Sequence, residues 1–276
     1  MNYTSWAAEN LSKQTLTLRH RNVTLWRTTY VDGLPTILFV HGITGDHYGL
    51  VPLIEELSKT HNCLILELPG HGTSTEINLQ QASVLQKWFT DIKALIEKEV
   101  TPIDVVCAHS FGCTAVVGQS NHYHRSTKTI LLNPVPHPSG VYAEYARIIM
   151  RSARFWAIFY NVRAFVFLRS VTLSKANSWD AHKRIGWVSR YSRPTYRQVV
   201  YQARLVDIIL DPHAYSYVKD KIDLIICGLD DTTAHQRDTL EMESIFGKSP
   251  VFFLRGGHLL PIETPDRVAA LIRQIV

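Results

Sequence analysis

The sequence predicts an α/β protein: a mostly parallel, doubly wound sheet covered by helices on both faces, with a largely helical segment inserted after the sixth strand. Three observations predict it. Short, continuous apolar runs such as Thr36–Val40 read as strands buried on both sides. Segments of helical periodicity alternate with those runs, which favours parallel strands joined by helical crossovers. Turn residues close nearly every run, and the alternation breaks once, at Pro134-Val135-Pro136-His137-Pro138.

In chain order, residues 13–31 alternate polar and apolar, as in Thr15-Leu16-Thr17-Leu18 and Val23-Thr24-Leu25-Trp26. They predict two antiparallel strands, 13–20 and 22–31, joined by a tight turn. Asp32-Gly33-Leu34-Pro35 is a turn, and Thr36–Val40 is a third strand ending in the loop His41-Gly42-Ile43-Thr44-Gly45. Residues 50–60 place Leu53, Ile54 and Leu57 on one helical face. A fourth strand, 63–68, ends in Pro69-Gly70-His71-Gly72, and residues 83–100 repeat apolar side chains with helical spacing. The fifth strand, 103–108, runs directly into His109-Ser110 and a small-residue helical segment, 112–118. Residues 129–132 form the sixth strand. Alternation resumes with a strand at 222–227, a helix at 233–246, a strand at 250–254 and a closing helix at 266–275. The division this predicts is a core of 1–136 and 220–276 with 137–219 as a helical cap.

A chain of 276 residues holds one large α/β domain, or a core plus an insert. Hydrophobic content of 46% and a mean hydropathy of −0.04 fit a globular protein. The longest apolar stretch, 155–168, is broken by Asn161 and Arg163 and is too short to span a bilayer. Residues 1–14 lack the basic start and apolar run of a signal peptide. Cys63, Cys107, Cys113 and Cys227 have no metal-type spacing and read as reduced core residues, which predicts a cytoplasmic protein with no bound metal.

The isoelectric point near 9.0 raises the question of nucleic acid. Residues 137–220, however, hold 13 Lys and Arg against 5 Asp and Glu, and the remainder holds 16 against 19. The basicity therefore belongs to the cap, which also carries 15 of the 28 aromatic residues. Nucleic-acid binding is not predicted, since no recognition motif accompanies the charge. The aromatics from Tyr142 to Phe167, interleaved with arginines from Arg147 to Arg169, suggest an apolar or aromatic small-molecule substrate and a weak membrane-surface contact. No phosphate-binding loop or other cofactor motif is present, so no cofactor is expected.

Ala108-His109-Ser110-Phe111-Gly112 nearly matches G-x-S-x-G, the turn from strand to helix that holds a serine strained and exposed. Ala108 stands where the first glycine would be. Alone, Ser110 could be an ordinary helix N-cap, and His258 is one of 13 histidines. Ser110, the pair Asp230 and Asp231, and His258 nonetheless each follow a strand. In a parallel sheet those ends share one edge, where residues distant in sequence can meet. Asp104 and Asp223 begin strands and belong to the opposite edge.

On these residues the chain resembles the α/β-hydrolase superfamily, in its lid-bearing branch. The matching positions are His41-Gly42 after strand three, Gly70-His71-Gly72 after strand four, 108–112 after strand five, Gly228-x-x-Asp231 after strand seven and Gly257-His258 after strand eight. The resemblance covers about residues 12–134 and 220–276. It implies an α/β-hydrolase fold with a helical lid after strand six, and a serine hydrolase that cleaves a carboxylic ester through an acyl-enzyme. Lactone, thioester and carbon–carbon bond hydrolysis are variants of the same chemistry, and a non-hydrolytic ligand-binding protein on the same fold is the alternative from a different class. By the resemblance Ser110 is the nucleophile, His258 the base and Asp231 the carboxylate that fixes the base, preferred to Asp230 by the Gly-x-x-Asp spacing. The backbone N–H groups of Ile43 and Phe111 would form the oxyanion hole. His41 and His109 are expected to brace loops. Glu67 stands where similar proteins have aspartate and is expected to brace locally. Epoxide and haloalkane hydrolases resemble this fold but carry aspartate at the nucleophile position, so Ser110 points to acyl transfer.

Overall fold

Alternate residues of each central strand face opposite sides of the sheet, and here both sides are apolar. In β3 (Thr36–Val40) Leu38 and Val40 join one buried cluster while Ile37 and Phe39 join another. β4 (Asn62–Leu66) and β5 (Val105–His109) divide in the same way. Two apolar faces demand two helical layers. In the computed structural model, α3 (Ala82–Glu99) and α4 (Phe111–Val117) cover the first face with Leu85, Phe89, Ile92 and Val116. On the second lie α1 (Tyr3–Asn10), α2 (Val51–Leu57) and the C-terminal α10 (Pro265–Ile275), through Ala7, Leu53, Ile54, Val268 and Ile272. The structure describes residues 3–117, 127–136, 179–209, 211, 213–216, 218, 222–231, 233–234 and 239–276. The cap aromatics from Tyr142 to Phe167 and the arginines from Arg147 to Arg169 fall outside them.

The sheet has eight strands in the order β1-β2-β4-β3-β5-β6-β7-β8. β1 (Ser12–Leu18) and β2 (Arg21–Arg27) form an antiparallel hairpin, and β2 pairs antiparallel with β4. Every other pairing is parallel, out to β6 (Lys128–Leu132), β7 (Leu224–Gly228) and β8 (Val251–Leu254). This is the α/β-hydrolase architecture expected above. The chain leaves β3 toward β4 on one side, and β5 adds on the other, so the crevice where ligands collect lies beyond the ends of β3 and β5.

The strand expectations hold within a few residues, and the departures have local causes. The first hairpin turns at Arg19 and His20, which adopt φ of 49° and 63°, so β1 ends at Leu18 rather than at 20. β2 stops at Arg27 because the chain beyond it bonds elsewhere: the Val31 N–H donates to the Asn62 side chain. The expected helix at 233–246 is described as α8 (Thr239–Phe246). Residues 233 and 234 form a turn instead, because their N–H groups donate to the Asp231 carboxylate. Among the described residues, α1, the single 3-10 turn His47–Gly49 and the four-residue α9 (Leu260–Glu263) were not expected.

Between β6 and β7 the described chain holds three helices, α5 (Trp179–Tyr191), α6 (Tyr196–Ala203) and the short α7 (Val206–Ile209), joined by turns. Ala181, Ile185 and Val188 of α5 pack on Ile262 of α9, and Arg184 donates to the Ile262 and Glu263 carbonyls. The N-terminal helix holds α5 from outside. Trp187 Nε1 donates to Thr4 Oγ1 at 2.8 Å, and the Trp187 ring lies 5.3 Å from Tyr3. α6 sits on the loop after β4, where Gln202 and Gln198 donate to the Gly70 and Gly72 carbonyls. No helix among the described residues is long and apolar enough to cross a membrane.

Candidate active site

Ser110 lies between the end of β5 and the start of α4 with φ of 52°, a left-handed conformation that costs a non-glycine residue free energy. Strand and helix hold it there. The Ser110 N–H donates to the Leu132 carbonyl, and its own carbonyl accepts from Cys113 N–H. The helix can begin this close to the sheet only because residue 112 is glycine. A Cβ at 112 would lie 2.7 Å from the carbonyl oxygens of Val40 and His41. The same contact brings the loop after β3, with Ile43, alongside the turn. Phe111 is the first residue of α4, so its N–H has no acceptor within the helix.

His258 follows β8, and its Nε2 lies 2.7 Å from Ser110 Oγ. Its Nδ1 lies 2.8 Å from Asp231 Oδ2. Asp231 is 2% exposed and accepts four hydrogen bonds: from His258 and Asn133 Nδ2 on Oδ2, and from the Thr233 and Ala234 N–H groups on Oδ1. Burial alone would raise this carboxyl, but the His258 ring and the hydrogen bonds outweigh it and hold it well below the usual carboxylate range. Asp230 is exposed, and only its backbone N–H reaches the site's edge, at the Gly256 carbonyl. Asp104 and Asp223 lie at the opposite sheet edge and accept from the Thr36 and Thr129 N–H groups.

Ser110, His258 and Asp231, read separately from the sequence, therefore come together in one hydrogen-bonded line. Asn133 was not read as part of it. It closes β6 with φ of 47°, which Asn tolerates better than most residues, and its Nδ2 also approaches the Gly257 carbonyl. The available signal was its position, directly after a strand that ends at the same edge.

The other polar candidates brace loops. His41 Nδ1 bonds the Gly42 carbonyl while Nε2 accepts from Leu68 N–H. Glu67 is buried and takes donors from Trp26, His47 and Thr73. Burial pushes the Cys63, Cys107, Cys113 and Cys227 thiols up, so none is a ready thiolate. Among the described residues no group of three or more His, Cys, Asp or Glu could hold a metal ion.

Gly228, the last residue of β7, touches the loop that carries His258. A Cβ there would lie 2.3 Å and 2.5 Å from the Gly257 and Gly256 carbonyl oxygens. Gly228→Ala is therefore expected to destabilise the protein by about 3 kcal/mol, read as a lowered guanidinium midpoint at unchanged slope. An unchanged midpoint would mean that the loop yields freely.

The family profile described as "Alpha/beta hydrolase family" matches residues 37–271. Among solved structures, an esterase from Thermogutta terrifontis superposes with a TM-score of 0.71 at 19% identity, covering 95% of this chain and 97% of that one. An epoxide hydrolase from Acinetobacter nosocomialis gives 0.75 at 14% identity, covering 99% and 94%. A haloalkane dehalogenase from Bradyrhizobium elkani gives 0.73 at 14%, covering 96% and 99%. These likenesses extend over the whole fold and span several reactions. No curated protein matches the sequence.

Proposed function

We propose a serine-hydrolase mechanism on the premise that this chain belongs to the alpha/beta hydrolase family and is a hydrolase. The substrate we infer is a small, largely apolar molecule with a carboxylic ester. The observation that carries this reading is the unbroken line from Ser110 Oγ through His258 to Asp231, with spacings of 2.7 Å and 2.8 Å, beginning at a serine in a left-handed turn.

In this mechanism His258 Nε2 takes the proton as Ser110 Oγ bonds to the ester carbon. The negative charge moves to the carbonyl oxygen, which faces the N–H groups of Ile43 and Phe111; removing one such donor typically costs about 3–4 kcal/mol. As the carbonyl re-forms, the bond to the alkoxide breaks and His258 returns the proton to that oxygen. Water then repeats the sequence on the acyl-enzyme and frees the acid and Ser110. Asp231, held by four donors, keeps Nδ1 protonated and balances the imidazolium.

Helices α5 and α6 would belong to a lid spanning 137–219 that excludes water from the crevice. Ile43, in the loop after β3, and Leu259, next in sequence to His258, are partly buried and apolar, which supports an apolar acyl chain. An esterase is favoured over epoxide or haloalkane chemistry because the nucleophile position holds Ser110. Lactones and thioesters would pass through the same steps.

The test is to treat the purified protein with a fluorophosphonate and map the modified peptide, alongside a chain-length series of p-nitrophenyl esters. Labelling at Ser110 with turnover that varies with chain length is expected. No label and no turnover would leave a ligand-binding protein; turnover indifferent to chain length would remove the apolar-substrate argument.

A further inference from the structure

A base works only if its ring is aimed, and the aim of His258 is set by a loop that makes no regular secondary structure. Three successive backbone polar groups of that loop end on two side chains, one from the short helix that follows it and one from the end of β5. Glu263 is buried, and its carboxylate straddles the loop. Oε2 accepts from Gly257 N–H at 2.8 Å, and Oε1 accepts from Leu259 N–H at 3.1 Å. The carbonyl between them, that of His258, lies 2.7 Å from His109 Nε2. A carbonyl oxygen only accepts, so His109 is the Nε2–H donor. Burial, and then the nearby His258, push its pKa down to about 3 and keep the ring neutral.

We propose that Glu263 and His109 are positioning residues for His258, gripping its backbone from opposite sides so that Nε2 meets Ser110 Oγ. The proposal rests on the hydrolase reading of Ser110, His258 and Asp231. Each grip ties the base to a different landmark. His109 immediately precedes Ser110, so the turn that aims the nucleophile also holds the base. Glu263 stands on α9, whose four residues present the carboxylate to the loop and pack on α5. Arg184 of α5 donates to the Glu263 carbonyl, which links the inserted helix to the same anchor. An apolar residue at 263 would fill the space but leave two buried N–H groups without acceptors, so packing alone does not account for a carboxylate there.

The experiment compares Glu263→Gln, His109→Phe and His109→Gln with wild type in two readouts. The first is kcat and KM on the ester that wild type hydrolyses best. The second is the downfield proton resonance of His258 Nδ1–H, assigned by its loss in His258→Ala and read where circular dichroism reports a folded protein. Glu263→Gln sets an amide NH₂ against one of the two N–H donors, and His109→Phe removes the other grip at similar size. Both are expected to lower kcat about 10–100-fold with KM within about twofold, and to shift or broaden the resonance. His109→Gln can place an amide N–H near the same carbonyl and is expected to recover kcat to within about threefold of wild type.

An unchanged kcat and resonance in Glu263→Gln, or a His109→Gln as impaired as His109→Phe, overturns the proposal. If Glu263→Gln does not fold, the His109 pair decides. If wild type neither labels with fluorophosphonate nor turns over, the hydrolase reading fails by itself, and the resonance alone decides the positioning claim.

Discussion

Asp231→Asn is expected to lower kcat about 10⁴-fold while leaving the protein folded. Its four hydrogen bonds say why. Oδ1 faces two backbone N–H groups that cannot turn away, so the amide oxygen of an asparagine must take that side. The NH₂ then faces His258 Nδ1, which has to become an acceptor. The ring proton moves to Nε2, which can no longer take the proton from Ser110. Folding survives because Asn133 can rotate: its Oδ1 is buried without a partner among the described residues and would accept from the new NH₂. Ser110→Ala and His258→Ala are each expected to cost about 10⁶-fold, and the double variant no more than either, since the two residues act as one unit. Steady-state hydrolysis of one ester by all four variants decides this. An Asp231→Asn enzyme with more than a tenth of wild-type kcat would remove Asp231 from the mechanism, and additive losses in the double variant would separate Ser110 from His258.

How much of this was legible in the sequence depended on what each residue bonds. The central strands could be read because every residue of β3, β4 and β5 is buried, leaving unbroken apolar runs. α1 buries only Ala7, and α9 is a single turn, so neither had a period to detect. Ser110, Asp231 and His258 were legible because strand direction brings their loops to one edge. Gly-x-x-Asp spacing favours Asp231 over Asp230, and it is Asp231 whose Oδ2 lies 2.8 Å from His258 Nδ1. Asn133 and Glu263 were not legible, because Asn133 meets a carboxylate 98 residues away and Glu263 turns back onto two backbone N–H groups just before its own helix. A hydrogen bond to backbone leaves no mark on the partner's residue type. His109 and Glu67 were expected to brace loops, but which atoms they hold became visible only in three dimensions.

Acid is expected to destabilise the protein by about 4 kcal/mol between pH 7 and pH 5, before carboxylates begin to titrate. The cause is a set of histidines buried in the neutral form. His71 and His109 have pKa values pushed down to about 3, each first by burial and then by a neighbouring histidine. The structure supplies the reason in each case. His71 Nδ1 donates to the Pro69 carbonyl, and its Nε2 is buried with no acceptor among the described residues for an added proton. Protonating His41, also lowered by burial, would destroy the bond its Nε2 accepts from Leu68 N–H. In the unfolded chain these rings take up protons below about pH 6.5. The unfolded state therefore binds more protons than the native state throughout that range, and stability falls as pH falls toward the folded pKa near 3. Each fully titrating ring contributes a slope of roughly 1.4 kcal/mol per pH unit, and two such rings integrate to the stated loss. Glu55, whose carboxyl is raised by burial, opposes the trend only weakly and at lower pH. A loss of that size is a quarter or more of a typical domain stability of about 5–15 kcal/mol, large enough to read in an unfolding midpoint. Guanidinium unfolding at pH 7, 6 and 5 measures it, and His109→Gln should remove about half of the slope that His71 and His109 share. A stability that stays level from pH 7 to pH 5 would mean that these rings are protonated in the folded protein, and the neutral His109 donor to the His258 loop would lose its support.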